Sequence, residues 1–479
     1  MDPTFLSAAC LAALVRGREI GCLELLDHYI ARTERLDSRL NAVVVRDFDR
    51  ARDRARKLDS SKDRSAPLFG VPMTIKESYN VAGLPTTWGD PALRGSIATA
   101  NALAVDRMLA AGVVLFGKTN VPLMLADWQS YNEVYGTTNN PWDVALSPGG
   151  SSGGAAAALA AGLTGIEAGS DIGSSIRNPA HYCGVFGHKP TWGICPPLGH
   201  SIRGNVAQSD ISVIGPLARS AGDLALALDA MAGPEPIEAG WKLDLPPPRT
   251  TGFKGLRIAL MTDHPLSEVD ASITGKLTEL AAFLRREGAT VSETARPTVD
   301  LALGHRLFIE VLRATTSARG NAAAEQHWRD EAARLPADDL SYYAMMARGN
   351  SMSHRNWVLN NEQRHRMRRA WAGFFQDWDV FLCPAAASPA QPHDQQGERW
   401  TRTITVNGHP VPATDQMFWA GISGFYLLPA TVAPIGFSPA GLPVGVQIVG
   451  PQYGDRTTIA FAGLLEQAWQ GFVPPQGWT

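Results

Sequence analysis

Short apolar runs of strand length alternate with amphipathic helical patterns along most of this chain, and no other feature restricts its fold as much. Residues 23–36 (LELLDHYIARTERL) carry apolar side chains at 23, 25, 26, 29, 30 and 36, the spacing of one buried helix face. Residues 100–111, 274–287, 305–318 and 355–375 read as helices too, and a closing helix is predicted from about 456 to 469. Between them lie VVLF (113–116), RIALM (257–261), and LLPATVAPIGF and LPVGVQIVG separated by SPAG, all strand-like. Such alternation buries its apolar faces by layering helices on a sheet, which predicts an α/β fold. The basic face of 355–375 (Arg364, His365, Arg366, Arg368, Arg369) reads as a solvated helix surface.

Other classes fall away. The opening MDPTFLSAACLAALVRGREIG has Asp2 where a signal peptide needs basic residues, and Arg16 and Arg18 break its apolar run, so it reads as a helix. Two charge-free stretches, 144–166 and 416–454, are interrupted by SPGGSSGG and by Pro429, Pro434, Pro439, Pro443 and Pro451 respectively; they read as buried strands and turns, not membrane spans. Hydrophobic residues make up 45% and charged ones 19%, which excludes disorder as the main state. Forty-three basic against 46 acidic residues leave a net charge of −3, with no basic field for nucleic acid. Five cysteines (Cys10, Cys22, Cys183, Cys195, Cys383) with no C-x-x-C predict neither a disulfide framework nor a thiolate metal site, and point to a cytoplasmic protein.

Three motifs compete for the chemistry. GVVLFGKT (112–119) satisfies G-x-x-x-x-G-K-[ST], but a phosphate loop needs a strand before its first glycine and exposed amides after it. Here a helical pattern precedes Gly112, and Val, Val, Leu and Phe follow as a buried strand, so the match is a decoy. GGSSGG (149–154) contains G-x-S-x-G, but the upstream NNPWDVALSPGG is turn-like and eleven histidines offer no unique partner for a hydrolase elbow at Ser151. The third is a constellation: Lys76 in GVPMTIKESYN, Ser151 in SPGGSSGG, and Ser175 in GSDIGSSIRNPA.

Singly these are an exposed lysine, a turn serine and a helix cap. Lys76 nevertheless follows the apolar run VPMTI, so its ammonium enters the interior, where desolvation lowers a lysine pKa and makes a base. After the strand-like TGIEAGSDI the chain turns sharply through Gly173, Ser174 and Ser175 into a helix. Consecutive N–H groups can then converge on one point, as the oxyanion of acyl transfer requires.

With these residues the stretch from about 147 to 191 resembles the signature of the amidase-signature serine hydrolases, in particular fatty-acid-amide-hydrolase-like members and bacterial amidases. The N-terminal helices, AGVVLFGKTNVP and GLPVGVQIVGP are similar as well, so the likeness covers most of the chain. The resemblance implies one α/β/α layered domain over 1–479 with a large central mixed β-sheet flanked by helices, although 479 residues at roughly 150 per domain would suggest about three. Within it fall N-terminal helices (about 1–60), a signature core (about 70–230), a Pro-rich crossover (about 233–254) and a C-terminal part (about 255–479). It further implies Ser175 as nucleophile, Ser151 as a bridging serine with a cis peptide bond, Lys76 as general base, and no metal or organic cofactor. Backbone N–H groups of Ile172, Gly173, Ser174 and Ser175 would form the oxyanion hole, Ser152 would support Ser151 as a hydrogen-bond partner, and Asp171 and Arg177 would be structural. The chain departs from the family's DxGGS, having DIGSS; if that position needs a positive φ, Ser174 is strained there.

The reaction implied is cleavage of a carboxylic amide C–N bond in a small molecule, with ester and carbamate chemistry adjacent, and the family's habits allow a homodimer. Phe418, Trp419, Phe425, Tyr426, Leu427 and Leu428 either line an apolar substrate cleft or form ordinary core. Alternatives are the glutamine-hydrolysing component of a tRNA-dependent amidotransferase, for which the apolar C-terminal segment supplies no charged groups, and a non-catalytic binding protein on the same fold.

Overall fold

An eight-stranded mixed sheet forms the middle of the computed structural model, which describes residues 2–202 and 204–478. Its order across the sheet is Thr290–Ser292, Arg257–Leu260, Val380–Pro384, Pro443–Val449, Ala430–Phe437, Phe186–Lys189, Val213–Ala218 and Glu167–Asp171. The first three strands run parallel, and every later pairing is antiparallel. A three-stranded unit, Val43–Arg46, Val114–Thr119 and Pro72–Lys76, adjoins the Glu167–Asp171 edge, where Met73 bridges Ile166 in parallel.

Side-chain alternation on these strands makes the layers. Leu217 and Val432 enter a cluster with Ala155, Ile176 and Ala180. Ala218 and Ala433, one residue further along the same strands, join a cluster with Leu277 and Phe461 from helices Ala271–Arg286 and Asp455–Ala468. A period of two thus places helices on opposite faces of one sheet. The predicted helices form with their ends moved by a few residues: Cys22–Leu36, Leu103–Ala110, Ala271–Arg286, Leu301–Ser317, His354–Asp377 and Asp455–Ala468.

Two sequence expectations are corrected. Part of the charge-free stretch 416–454, expected as strands and turns, is the helix Met417–Gly424, buried at every position after Met417 and so lacking the polar face that would have marked it. On His354–Asp377, expected to present a solvated basic face, Arg364 is only 4% exposed and pairs with Asp210 at 2.8 Å. No helix among the described residues is long and apolar enough to cross a membrane.

Candidate active site

Lys76 closes the fully buried strand Pro72–Lys76 and is itself 0% exposed. Its Nζ lies 2.7 Å from Ser151 Oγ, 3.0 Å from Ser152 Oγ and 3.0 Å from Ser170 Oγ. Among the described residues no carboxylate bonds to it. Burial pushes this lysine down to about 7, with Asp171 and Glu167 pulling weakly the other way. Three hydroxyls accommodate both states: an ammonium donates to all three, whereas a neutral amine donates to two and accepts from the third. Glu167, at the start of the adjacent strand, accepts from Thr74 Oγ1 at 2.6 Å and from Ala168 N at 3.1 Å, and burial lifts its carboxyl to about 8.

Ser151 and Ser152 sit in the glycine-rich turn before the all-buried helix Gly153–Ala160, and the Gly150–Ser151 peptide bond is cis. Only glycine fits the turn at two places: Gly149 has φ of +84°, and a Cβ on Gly150 would come within 2.4 Å of the Asp127 carbonyl oxygen. Ser152 N donates to Ser175 O at 3.1 Å, tying the two serine loops together.

Asp171 builds the second loop. Its carboxylate accepts from Ser174 N at 2.9 Å and Ile176 N at 3.1 Å, and it pairs with the buried Arg177 (Nη2 to Oδ1 2.8 Å, Nε to Oδ2 3.0 Å). Burial alone would raise this carboxyl, but Arg177 holds it below the usual aspartate range. Arg177 Nη1 donates onward to Ala420 O, Ser423 Oγ and Gln447 Oε1, anchoring the loop to the sheet. This corrects the oxyanion expectation at one position: the Ser174 N–H is already taken by Asp171. Ile172, Gly173 and Ser175 remain, and among the described residues their N–H groups have no intramolecular acceptor. Ser174 has φ of +74°, so the departure from glycine falls on a left-handed residue, and its buried hydroxyl finds no partner.

Ser175 Oγ makes no hydrogen bond among the described residues, and neither serine is bonded to a histidine, so the elbow reading lacks its base. Ser151, Ser170, Ile172, Gly173 and Ser175 open into a cavity of about 990 Å³. Of the aromatic stretch expected either as cleft or as core, Phe418, Trp419, Phe425, Tyr426, Leu427 and Leu428 belong to the core and none lines the cavity, which the preceding Gln416 and Met417 reach. The Lys118 of the phosphate-loop decoy is buried and donates to Pro85 O and Thr86 Oγ1. Among the described residues no group of three His, Cys, Asp or Glu side chains is placed to hold a metal ion.

Sequence reasoning missed Ser170 and Trp128, whose Nε1 donates to Gly173 O at 2.7 Å. Ser170 carried a weak signal, since a serine is out of place in a strand buried on both faces; Trp128 carried none.

A buried lysine hydrogen-bonded to two hydroxyls of the glycine-rich turn and one of strand Glu167–Asp171, beside backbone donors that are free among the described residues, is an arrangement suited to acyl transfer. The chain belongs to the amidase family, whose model matches residues 24–459, and is an enzyme that acts on amides. It is 31% identical over 474 residues to an indoleacetamide hydrolase of Bradyrhizobium diazoefficiens, covering 96% of this chain and 86% of that one. It is 33% identical over 494 residues to a component of the glutamyl-tRNA(Gln) amidotransferase of Deinococcus deserti, covering 96% of each. The structure of a bacterial aryl acylamidase of the amidase-signature family superimposes with a TM-score of 0.82 at 25% identity, over 98% of this chain and 97% of that one.

Proposed function

We propose that this amidase works through an acyl-enzyme on Ser175, with Ser151 relaying protons and Lys76 as base. The observation that carries the reading is a fully buried lysine at 2.7 Å from Ser151 Oγ, with a pKa near neutrality and no carboxylate bonded to it among the described residues. Neutral Lys76 takes the Ser151 proton as Ser151 takes that of Ser175, and Ser175 Oγ adds to the amide carbonyl. The N–H groups of Ile172, Gly173 and Ser175 receive the resulting oxyanion. The tetrahedral species collapses by breaking its C–N bond, and the leaving nitrogen recovers the proton from Lys76 through Ser151. Water then adds to the acyl carbonyl by the same relay and releases the acid. The relay requires a Ser151–Ser175 hydroxyl bond that is not formed in this structure; catalytic hydrogen bonds commonly tighten only when substrate engages.

Esters and carbamates offer the same carbonyl and fall within this chemistry. The chain serves small-molecule amides in this reading, as a single α/β/α unit in which a strand brings the lysine, and two turns the serines, to one sheet edge. The test is hydrolysis of aryl, alkyl and small primary amides by the parent and by Ser175→Ala. Loss of about 10³-fold or more is expected, and substantial residual turnover of an amide the parent cleaves would remove Ser175 from its role. The likeness to the amidotransferase component supports a second reading, release of ammonia from glutamine, which the same screen decides if glutamine is included.

A further inference from the structure

We propose that the substrate of this site carries a carboxylate away from its scissile amide, received by Arg313 and Arg399. The inference rests on the acyl-enzyme reading only for the position of the reacting carbonyl.

Both arginines line the cavity that holds Ser175. Arg313 lies on helix Leu301–Ser317, immediately after Leu312, and that helix covers the loop of free N–H donors: a Cβ added at Gly173 would lie 3.9 Å from Leu312 Cδ2. Arg399 opens the short helical turn Arg399–Thr401 at the far end of the loop that begins after strand Val380–Pro384. That loop is held beside the serine turn by a double clamp, Gln129 Nε2 to Asp394 O at 2.6 Å and Asp394 N to Gln129 Oε1 at 2.9 Å, and by Ser147 N to Gln391 O at 2.9 Å. The two guanidiniums are therefore set by elements that also set the reacting groups.

Among the described residues no carboxylate forms an ion pair with Arg313 or Arg399. Among the described residues Arg313 donates to Tyr342 Oη and leaves its Nε shielded and unpartnered, and Arg399 makes no hydrogen bond. Asp127, an acid that lines the cavity, is committed to Arg402 at 2.7 Å. The other acid lining the cavity, Asp394, accepts at Oδ1 from Gln396 N. Two half-buried cations that repel one another are unfavourable in a folded chain unless an anion joins them. Planar guanidiniums with several free N–H donors match a carboxylate best. His393 supplies a further group: it lines the same cavity, and both its ring nitrogens are shielded and without a partner. Burial lowers its pKa, so at neutral pH it is an uncharged imidazole with one N–H to donate.

A plain carboxylate needs only the guanidiniums, whereas a zwitterion also needs an acid for its ammonium, and of the two acids lining the cavity Asp127 is committed to Arg402, which leaves Asp394 alone. The expected substrate class is therefore an amide of a dicarboxylic acid, or an acylated amine bearing a carboxylate, without a free α-amino group.

Calorimetric binding to the Ser175→Ala protein tests this without turnover. The probes are the monoamides of dicarboxylic acids from succinamate to sebacamate, each beside the neutral alkanamide of equal length, with glutamine beside glutaramate. At the length that spans the site, the anion is expected to bind about tenfold or more tighter than its neutral partner, as for a charge-assisted pair. Arg399→Gln and Arg313→Gln should shrink that ratio, and Arg399→Glu should invert it, with melting curves confirming that each variant folds. Anions that bind no better than their neutral partners at any length would overturn the proposal. So would a preference that survives both substitutions, or glutamine binding more tightly than glutaramate. Residual hydrolysis by Ser175→Ala would strike the acyl-enzyme reading instead, and leaves the binding ratio readable.

Discussion

The acid limb of the pH–rate profile is the sharpest consequence of Lys76's burial. An exposed lysine with a pKa of 10.5 would be neutral at pH 7 in only about three molecules in ten thousand. Burial brings Lys76 to about 7, so that about half the molecules carry the free amine there, a gain of roughly 10³ in base concentration. In the proposed relay the free amine is the active form, so kcat/KM for a neutral amide should rise with pH, reach half its plateau near pH 7, and fall about tenfold per unit below, to about one-hundredth at pH 5. Glu167 sharpens the test. Its carboxyl is lifted to about 8, so its pull on Lys76 is small on the acid limb and grows as it ionises above that, where it favours the ammonium and opposes further gain. Glu167→Gln should therefore keep the acid limb and relieve any decline above pH 8. The measurement is kcat/KM from pH 5 to 9.5 on parent, Glu167→Gln and Lys76→Met, with circular dichroism confirming the fold at each pH. Lys76→Met should lose about 10²- to 10⁴-fold at the plateau. A profile flat between pH 5 and 7 in the parent, or a break that persists in Lys76→Met, would refute the assignment. The same shift has a stability sign: between about pH 7 and 10.5 the unfolded chain binds more protons at this lysine than the folded one. Stability from this group thus rises with pH across that window, and Lys76→Met should stabilise more at pH 6 than at pH 9.

Three further outcomes are expected. Ser170→Ala removes one of the three Nζ partners; a loss of about 1–3 kcal/mol in transition-state stabilisation is expected, with the kinetic break moving to lower pH because the ammonium loses an acceptor. Ser174→Gly relieves a left-handed residue and an orphaned buried hydroxyl while keeping the N–H that Asp171 uses, so a gain of about 1–2 kcal/mol is expected. At roughly 2 cal/mol/K per residue over 479 residues, that is a rise in Tm of about 1–2 °C with activity retained; a lower Tm would contradict the strain. Asp171→Ala strands the buried Arg177 and frees two loop N–H groups, costing about 3–5 kcal/mol, and Asp171→Ala with Arg177→Met should recover part of it; both are read by thermal melting.

The alternation of strand and helix patterns led to the layered fold, because each element's own periodicity says which face it buries. The helix Met417–Gly424 escaped that logic, since a helix buried all round has no polar face to mark it. Local motifs were legible in part: the positive φ of Gly149 belongs to the turn itself, whereas the demand for glycine at 150 comes from the Asp127 carbonyl oxygen, a tertiary neighbour. The fate of the Ser174 N–H was not legible, although Asp171 is only three residues away, because the sequence does not say where a carboxylate points.

By itself, then, the sequence determined the layered architecture, the positions of Lys76, Ser151 and Ser175, and their likeness to one family, all through short-range pattern and spacing. Tertiary structure decided what surrounds them. Ser170 reaches Lys76 only because their strands lie at adjoining sheet edges. Arg313 and Arg399 face the cavity of Ser175 from segments more than a hundred residues downstream, and the aromatic stretch that the sequence offered for that wall went to the core. Desolvation, which lowers the Lys76 pKa, is a property of packing density around a group, and no residue carries it in its own letter.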